Sequence, residues 1–262
     1  MKLSQEYIRA SSDPHGYARD LKAAGKKILG YFCSYTPEEI IHAAGIHPLR
    51  LFGSMGDSGI ADRHLQAYCC SLVRGALADG LSGTLSYLDG AVFPHTCDSI
   101  QRLSDIWRLN TSFQFFADVV LPVKLTTDSS RQYMSDVLRK FKTDLEKGFS
   151  ISITDDAIRD SIRTYNLIRS SMKTLEYLAA GTPVIITHAE GVSDIVEKAR
   201  CGLVIPPDDS RALADAILLL TKHPEMRREM GNLGRELVLA SYTWQHTVNS
   251  MLDFMSRRIE SS

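Results

Sequence analysis

The chain has 262 residues, 44% hydrophobic and 23% charged, the balance of an ordinary globular protein and not of a disordered or fibrous one. Lys and Arg number 30 against 31 Asp and Glu, a formal charge of −1, which gives no electrostatic sign of a nucleic-acid or anionic-membrane partner. No apolar run approaches the roughly 18 residues of a membrane span, and the opening MKLSQEYIRASSDPHG lacks the apolar core of a secretory signal, so a cytoplasmic protein is expected.

The first 150 residues alternate strand-like runs with amphipathic helices. Lys27–Cys33 is the first strand. TPEEIIHAAG follows as a short helix, with Thr36 as N-cap, Pro37 at the first helical position, Glu39 completing a capping box and Gly45 as the stop. Leu49–Gly53 is the second strand. The run from Ala61 to Gly80 is expected as one helix, with Leu65, Cys69, Leu72 and Ala76 on a single stripe. Gly90–Pro94 is the third strand, and HTC leads into a helix with Asp98 as N-cap and Ile100, Leu103 and Trp107 inward. ADVVLPVKL, 117–125, is the fourth strand, followed by a helix apolar at Met134, Val137, Leu138, Phe141 and Leu145. Such alternation predicts crossover connections and a mostly parallel sheet.

One long helical pattern covers Thr154–Ala180, with Ile158, Ile162, Tyr165, Ile168, Met172, Leu175 and Ala179 at intervals of three or four. The α/β rhythm then restarts with PVIIT, VSDIVEKARCG, LVIP and SRALADAILLL. Two more helical stretches close the chain, the last of them TWQHTVNSMLDFMSRR. The expected fold class is α/β: a Rossmann-like parallel-sheet lobe, 1–170, joined through the long helix to a second, partial α/β lobe, 171–262.

The five cysteines, Cys33, Cys69, Cys70, Cys97 and Cys201, are odd in number and unevenly spaced, which points to reduced thiols with some available as metal ligands. Cys97 falls where a strand ends and a helix begins, the edge at which parallel α/β sheets collect ligands. A helix N-terminus there stabilises a thiolate; the alternative is a small residue in a tight turn. Cys69 and Cys70, adjacent on a helix, point about 100° apart and do not serve one metal together. Cys69 belongs to the apolar stripe and Cys70 to its edge, which makes Cys70 the better ligand. Cys201 reads as structural.

GYFCSYTPEEIIHAAGIHPLRLFG, ADRHLQAYCCSLVRGAL and DGAVFPHTCDSIQRLSDIWRLN resemble the D-component family of 2-hydroxyacyl-CoA dehydratases and the related benzoyl-CoA reductase subunits, from about Lys27 to about Arg169. The resemblance implies a [4Fe–4S] cluster on three cysteines, two of them mapping to Cys70 and Cys97 with Cys69 as fallback. It implies a CoA-thioester substrate, a second dehydratase-type subunit and a separate ATP-dependent activator that feeds one electron to the cluster, which passes it to the thioester carbonyl. Cys33 lies near that active site without being a ligand. Ser34 and Glu38 or Glu39 are placed to line the thioester pocket as catalytic residues, although two glutamates in a first helical turn also answer to the helix dipole alone. The third cluster ligand is not identified; a partner or Cys201 would have to complete the site.

From about Met172 to Phe254 the chain instead resembles the end of a GT-B-type, group-1 glycosyltransferase. That resemblance implies that Glu176 contacts a nucleotide-sugar ribose, in a pocket with Thr182 and Gly191. The companion glutamate eight residues earlier is replaced by Ile168, and the donor-domain strands and basic phosphate ligands are missing. The sequence therefore reads as two partial families joined near Arg169–Met172 with the helical phase kept. The expected function is a dehydratase or reductase subunit acting on a CoA thioester. The alternatives are a glycosyltransferase fragment and a catalytically silent chimera.

Overall fold

A computed structural model describes residues 9–10, 13–54, 59–66, 68–188 and 192–242. The chain divides into two compact units, Met1–Ile162 and Arg163–Ser262.

The first unit runs α1 (Pro14–Ala23), β1 (Ile28–Tyr31), α2 (Glu38–Ala43), β2 (His47–Arg50), a 3-10 turn (Ala61–Arg63), α3 (Ser71–Leu81), β3 (Gly90–Pro94), α4 (Asp98–Asn110), β4 (Phe115–Val119) and α5 (Asp128–Phe149). The four strands form one parallel sheet in the order β2-β1-β3-β4, with Ile28 opposite His47, Leu29 opposite Gly90 and Gly90 opposite Phe115. Every residue of β1 and β3 is buried, because helices cover both faces and a central parallel strand has no wet side. On one face Ile28, Ala91 and Phe93 pack with Val73 and Leu77 of α3 and Leu103 and Trp107 of α4. On the other, Leu29, Tyr31 and Val92 meet Ile40 and Ile41 of α2 and Phe141 and Leu145 of α5. This is a Rossmann-like α/β arrangement.

The amino edge of the sheet is fastened by Asp89. Its carboxylate accepts the Ile28 backbone N–H at 2.9 Å and pairs with Lys22 at 2.6 Å and Lys27 at 3.1 Å. Burial pushes this carboxyl up, but the hydrogen bonds from Lys22, Ile28 and Lys27 outweigh it and hold the group below the usual carboxylate range.

The division into units falls within α6 (Asp155–Ala179). Beyond it, the second unit holds β5 (Val184–Thr187), α7 (Val192–Ala199), β6 (Gly202–Ile205), α8 (Ser210–Lys222) and α9 (Pro224–Ser241). β5 and β6 pair in parallel. Leu178, Val184, Val196, Cys201 and Val238 form its core. Gly231 of α9 has no room for a side chain, since a β-carbon there would meet the Gly181 carbonyl at 2.0 Å.

Four local expectations are corrected. The run Ala61–Gly80 is not one helix: it breaks after Arg63 and restarts at Ser71, with Cys70 extended at ψ 155°. Leu65 and Cys69 are both buried while Tyr68 is 80% exposed, so irregular backbone delivers the two apolar side chains to the core. The capping box at Thr36 does not form; the hydroxyl donates to the Phe32 carbonyl and the helix begins at Glu38. Asp98 is the first helical residue and Cys97 the N-cap. The fourth strand is Phe115–Val119, ending at the approach to Pro122, which has no N–H for a ladder. Helix α1 is not among the expected elements, and TWQHTVNSMLDFMSRR lies outside the described residues.

Candidate functional site

Because the strands are parallel, every helix that follows one begins at the carboxyl edge of the sheet. Chain order reverses across β1: β2 lies on one side and β3 on the other. The crevice outside β1 and β3 is thus the topological switch point, where open α/β sheets hold their ligands. The segments flanking it are Phe32–Thr36 and His95–Cys97. Cys33 adopts a left-handed conformation at φ 55°, a strain of order 1–2 kcal/mol for a residue with a β-carbon.

Cys97 is the exposed N-cap of α4, and Cys70 is the exposed N-cap of α3. The two helices pack against each other through the shared core. A cavity of about 250 Å³ is lined by Tyr68 and Cys69 on one side and by Asp98, Ser99 and Arg102 on the other. The residues directly before Cys70 and directly after Cys97 therefore border one cleft. Cys69 is buried in the core beside Leu65.

The turn carrying Cys97 is tied at two points. The His95 N–H donates to the Val119 carbonyl at 2.9 Å, and His95 Nε2 lies 3.2 Å from Asp118 Oδ1. Asp118 also accepts from Ser104 Oγ at 2.6 Å and pairs with Arg108. Between the tie and the thiol, the buried Thr96 Oγ1 has no hydrogen-bond partner among the described residues. None of this network announces itself in the sequence, since Asp118 and His95 stand 23 residues apart. The HTC signature places the histidine but not its partner.

Ser34 is exposed after β1, with Arg50 Nη2 at 3.5 Å from its hydroxyl. Glu38 opens α2 and its N–H donates to the Thr36 carbonyl at 2.9 Å. Both belong to the carboxyl edge. Cys201 lies in the core of the second unit, where burial pushes its thiol up and its Sγ donates to the Val196 carbonyl at 3.8 Å. Glu176 stands exposed near the end of α6, Thr182 is exposed after it, and Gly191 lies outside the described residues.

Soft, exposed thiols at two neighbouring helix N-termini match an iron–sulfur group in donor chemistry. They fall short of it in number: no group of three or more His, Cys, Asp or Glu that could hold a metal ion occurs among the described residues. Among those residues, too, no helix is long and apolar enough to cross a membrane.

The sequence matches the family described as 2-hydroxyglutaryl-CoA dehydratase, D-component, over residues 33–238. That match runs past Arg169, the expected end of the resemblance. A benzoyl-CoA reductase subunit of Thauera aromatica is 32% identical over 81% of this chain and 55% of its own length. The beta subunit of (R)-2-hydroxyglutaryl-CoA dehydratase from Acidaminococcus fermentans is 28% identical over 70% of this chain and 49% of its own length. The chain thus spans about half the length of these relatives. Alpha-maltose-1-phosphate synthase of Mycolicibacterium smegmatis is 32% identical over only 30% of this chain and 22% of its own length.

Proposed function

From membership of the 2-hydroxyglutaryl-CoA dehydratase D-component family, to which this chain belongs, we propose that it serves as one subunit of an enzyme that reduces a CoA thioester by one electron, in dehydration or in ring reduction. The observation that supports this reading is the placement of two exposed thiols, Cys70 and Cys97, on segments that border one cleft at the carboxyl edge of the sheet. Those thiols are two ligands of a [4Fe–4S] cluster, and the remaining ligand comes from outside the described residues. The positive ends of α3 and α4 lie at these two sulfurs and suit a set of thiolate ligands.

Ser34 and Glu38 line the thioester side of the crevice, with the Arg50 guanidinium near the serine hydroxyl. Both matched relatives carry names that make them subunits. A second subunit is accordingly a partner of this chain, and the family resemblance adds an ATP-dependent activator.

Anaerobic loading of the full chain with iron and sulfide, alone and with a dehydratase-type second subunit, tests the reading. Iron and sulfide content and visible absorbance are expected to rise when the second subunit is present, and to fall away in Cys70→Ser and Cys97→Ser. Equal uptake by the wild type and both variants, or none in either setting, overturns it.

A further inference from the structure

The cleft between Cys70 and Cys97 is short of ligands from its own chain. Its exposed thiols are two, and no group of three or more metal-binding side chains occurs among the described residues. A [4Fe–4S] cluster ligated wholly by cysteine takes four, a number that two copies of the chain supply. Charge on the cleft wall also suits a second copy. Asp98 and Arg102 of α4 both line the cleft, and four residues apart they share one face of the helix. Both are exposed, and neither has an ion-pair partner among the described residues. A copy turned by half a revolution presents the same two charges in reverse order. Asp98 of each copy then faces Arg102 of the other, the reciprocal contact of a two-fold interface. The apolar surface points the same way. Phe52, Ile60 and Tyr68 are all exposed, and all belong to the β2–α3 connection that ends at Cys70, with Tyr68 also lining the cleft. Exposed aromatic side chains beside charges that await partners have the make-up of a contact surface.

We propose that two copies of this chain pair through this cleft and hold one [4Fe–4S] cluster between them, each giving Cys70 and Cys97. The inference rests on the cluster reading above and names what completes the ligand set when the chain is by itself. Four thiolates leave no iron position for a substrate oxygen, so the pair of copies is a closed form of the site. A dehydratase-type second subunit takes the place of one copy, and iron content then rises from one cluster per two chains to one per chain.

Native mass spectrometry and iron analysis of the full chain test the inference, after anaerobic loading with iron and sulfide and with no other subunit added. A dimer carrying one cluster is expected, about two irons per chain. Asp98→Arg and Arg102→Asp, at exposed positions that ligate nothing, each set like charges face to face across the axis. Each variant alone is expected to pair about tenfold or more weakly and to retain less iron. Mixed together, the two variants recover both Asp–Arg or Arg–Asp contacts, and dimer and cluster are expected to return. A merely structural effect on α4 gives no such recovery. Cluster-loaded monomers overturn the inference, as do mixed variants that stay apart or a dimer whose iron is unchanged by either substitution. Uptake on Cys70 and Cys97 only when the dehydratase-type subunit is present overturns it too, and leaves the function proposed above standing. Uptake in neither setting removes both.

Discussion

At the amino edge of the four-stranded sheet, Asp89 is buried and engaged by two lysines and a backbone N–H. At the carboxyl edge of the same strands, two thiols stand exposed, Thr96 Oγ1 lacks a partner among the described residues, Cys33 is held in a left-handed conformation and apolar side chains around Val123 ring a second open cleft. One edge spends its polar groups on closing the fold; the other ties one turn through Asp118, His95, Ser104 and Arg108 and leaves its thiols exposed. The contrast follows from topology: parallel strands send every helix N-terminus to one side, and that side carries the unsatisfied N–H groups and positive dipole ends. On the proposed function, stability and chemistry are thus separated along a strand length of only a few residues.

The sharpest way to break this separation is to remove something that both edges stand on. Trp107 is fully buried and stacks or abuts Phe32, Phe93 and Phe113. Trp107→Ala is expected to cost about 3–5 kcal/mol in urea unfolding, and to lower ligand uptake at the carboxyl edge in proportion to the folded fraction. Loss of uptake in protein that remains fully folded would mean the two properties are not separable there.

The amino edge is tested by Asp89→Asn. With the Asp89 pKa lowered in the folded state, the folded chain binds fewer protons than the unfolded one, so the stabilisation is present above the unfolded value of about 3.9. It is lost as pH falls through the folded value. The variant is expected to be about 2 kcal/mol less stable near neutral pH, with the gap closing in acid. Urea titrations across that range check it, and iron and sulfide uptake should be untouched at neutral pH.

Smaller effects belong to the carboxyl edge. His95→Ala removes one hydrogen bond and is expected to cost about 1 kcal/mol. Because that bond helps tie the turn before Cys97, iodoacetamide should alkylate Cys97 faster relative to Cys70, as read by peptide mass spectrometry. An unchanged ratio would show that the His95 backbone bond to Val119 suffices. Least of all, Cys70→Ser and Cys97→Ser are expected to shift stability by no more than about 0.5 kcal/mol while removing iron uptake. That is the purest form of the contrast, with folding left alone and the proposed chemistry gone.

Much of the first unit is legible in the sequence because its signals are local. The apolar spacing of Ile100, Leu103 and Trp107 predicts the inward face of α4, and all three are buried. Cys97 at a strand-to-helix junction follows from GAVFP and the helix behind it. The break at Arg63–Ser71 is not legible, because Leu65 and Cys69 keep helical spacing although neither lies in a helix. The same spacing serves two conformations, and only tertiary packing chooses. Contacts between distant residues are equally hidden: Asp89 with Lys27 across 62 positions, Asp118 with His95, Ser54 with Asp79. The cleft wall around Val123 is hidden for another reason, since VVLPVKL is apolar enough to read as a strand. The end of β4 at Val119 and the proline after it turn that run into a wall.

A last consequence lies away from both cysteines. Gly53, at φ 74°, presses against α3 so closely that a β-carbon would meet the Ala76 nitrogen at 2.5 Å, and one on Gly75 would meet the Ser54 carbonyl at 2.7 Å. These two hydrogen-for-methyl spaces act as a caliper on the helix that begins at Cys70. Widening the jaws by one carbon would slide that helix outward, and with it one of the two sulfurs, while the other stayed on its own turn. The stand-off between α3 and the loop after β2 is therefore set by a pair of residues that have no side chain at all.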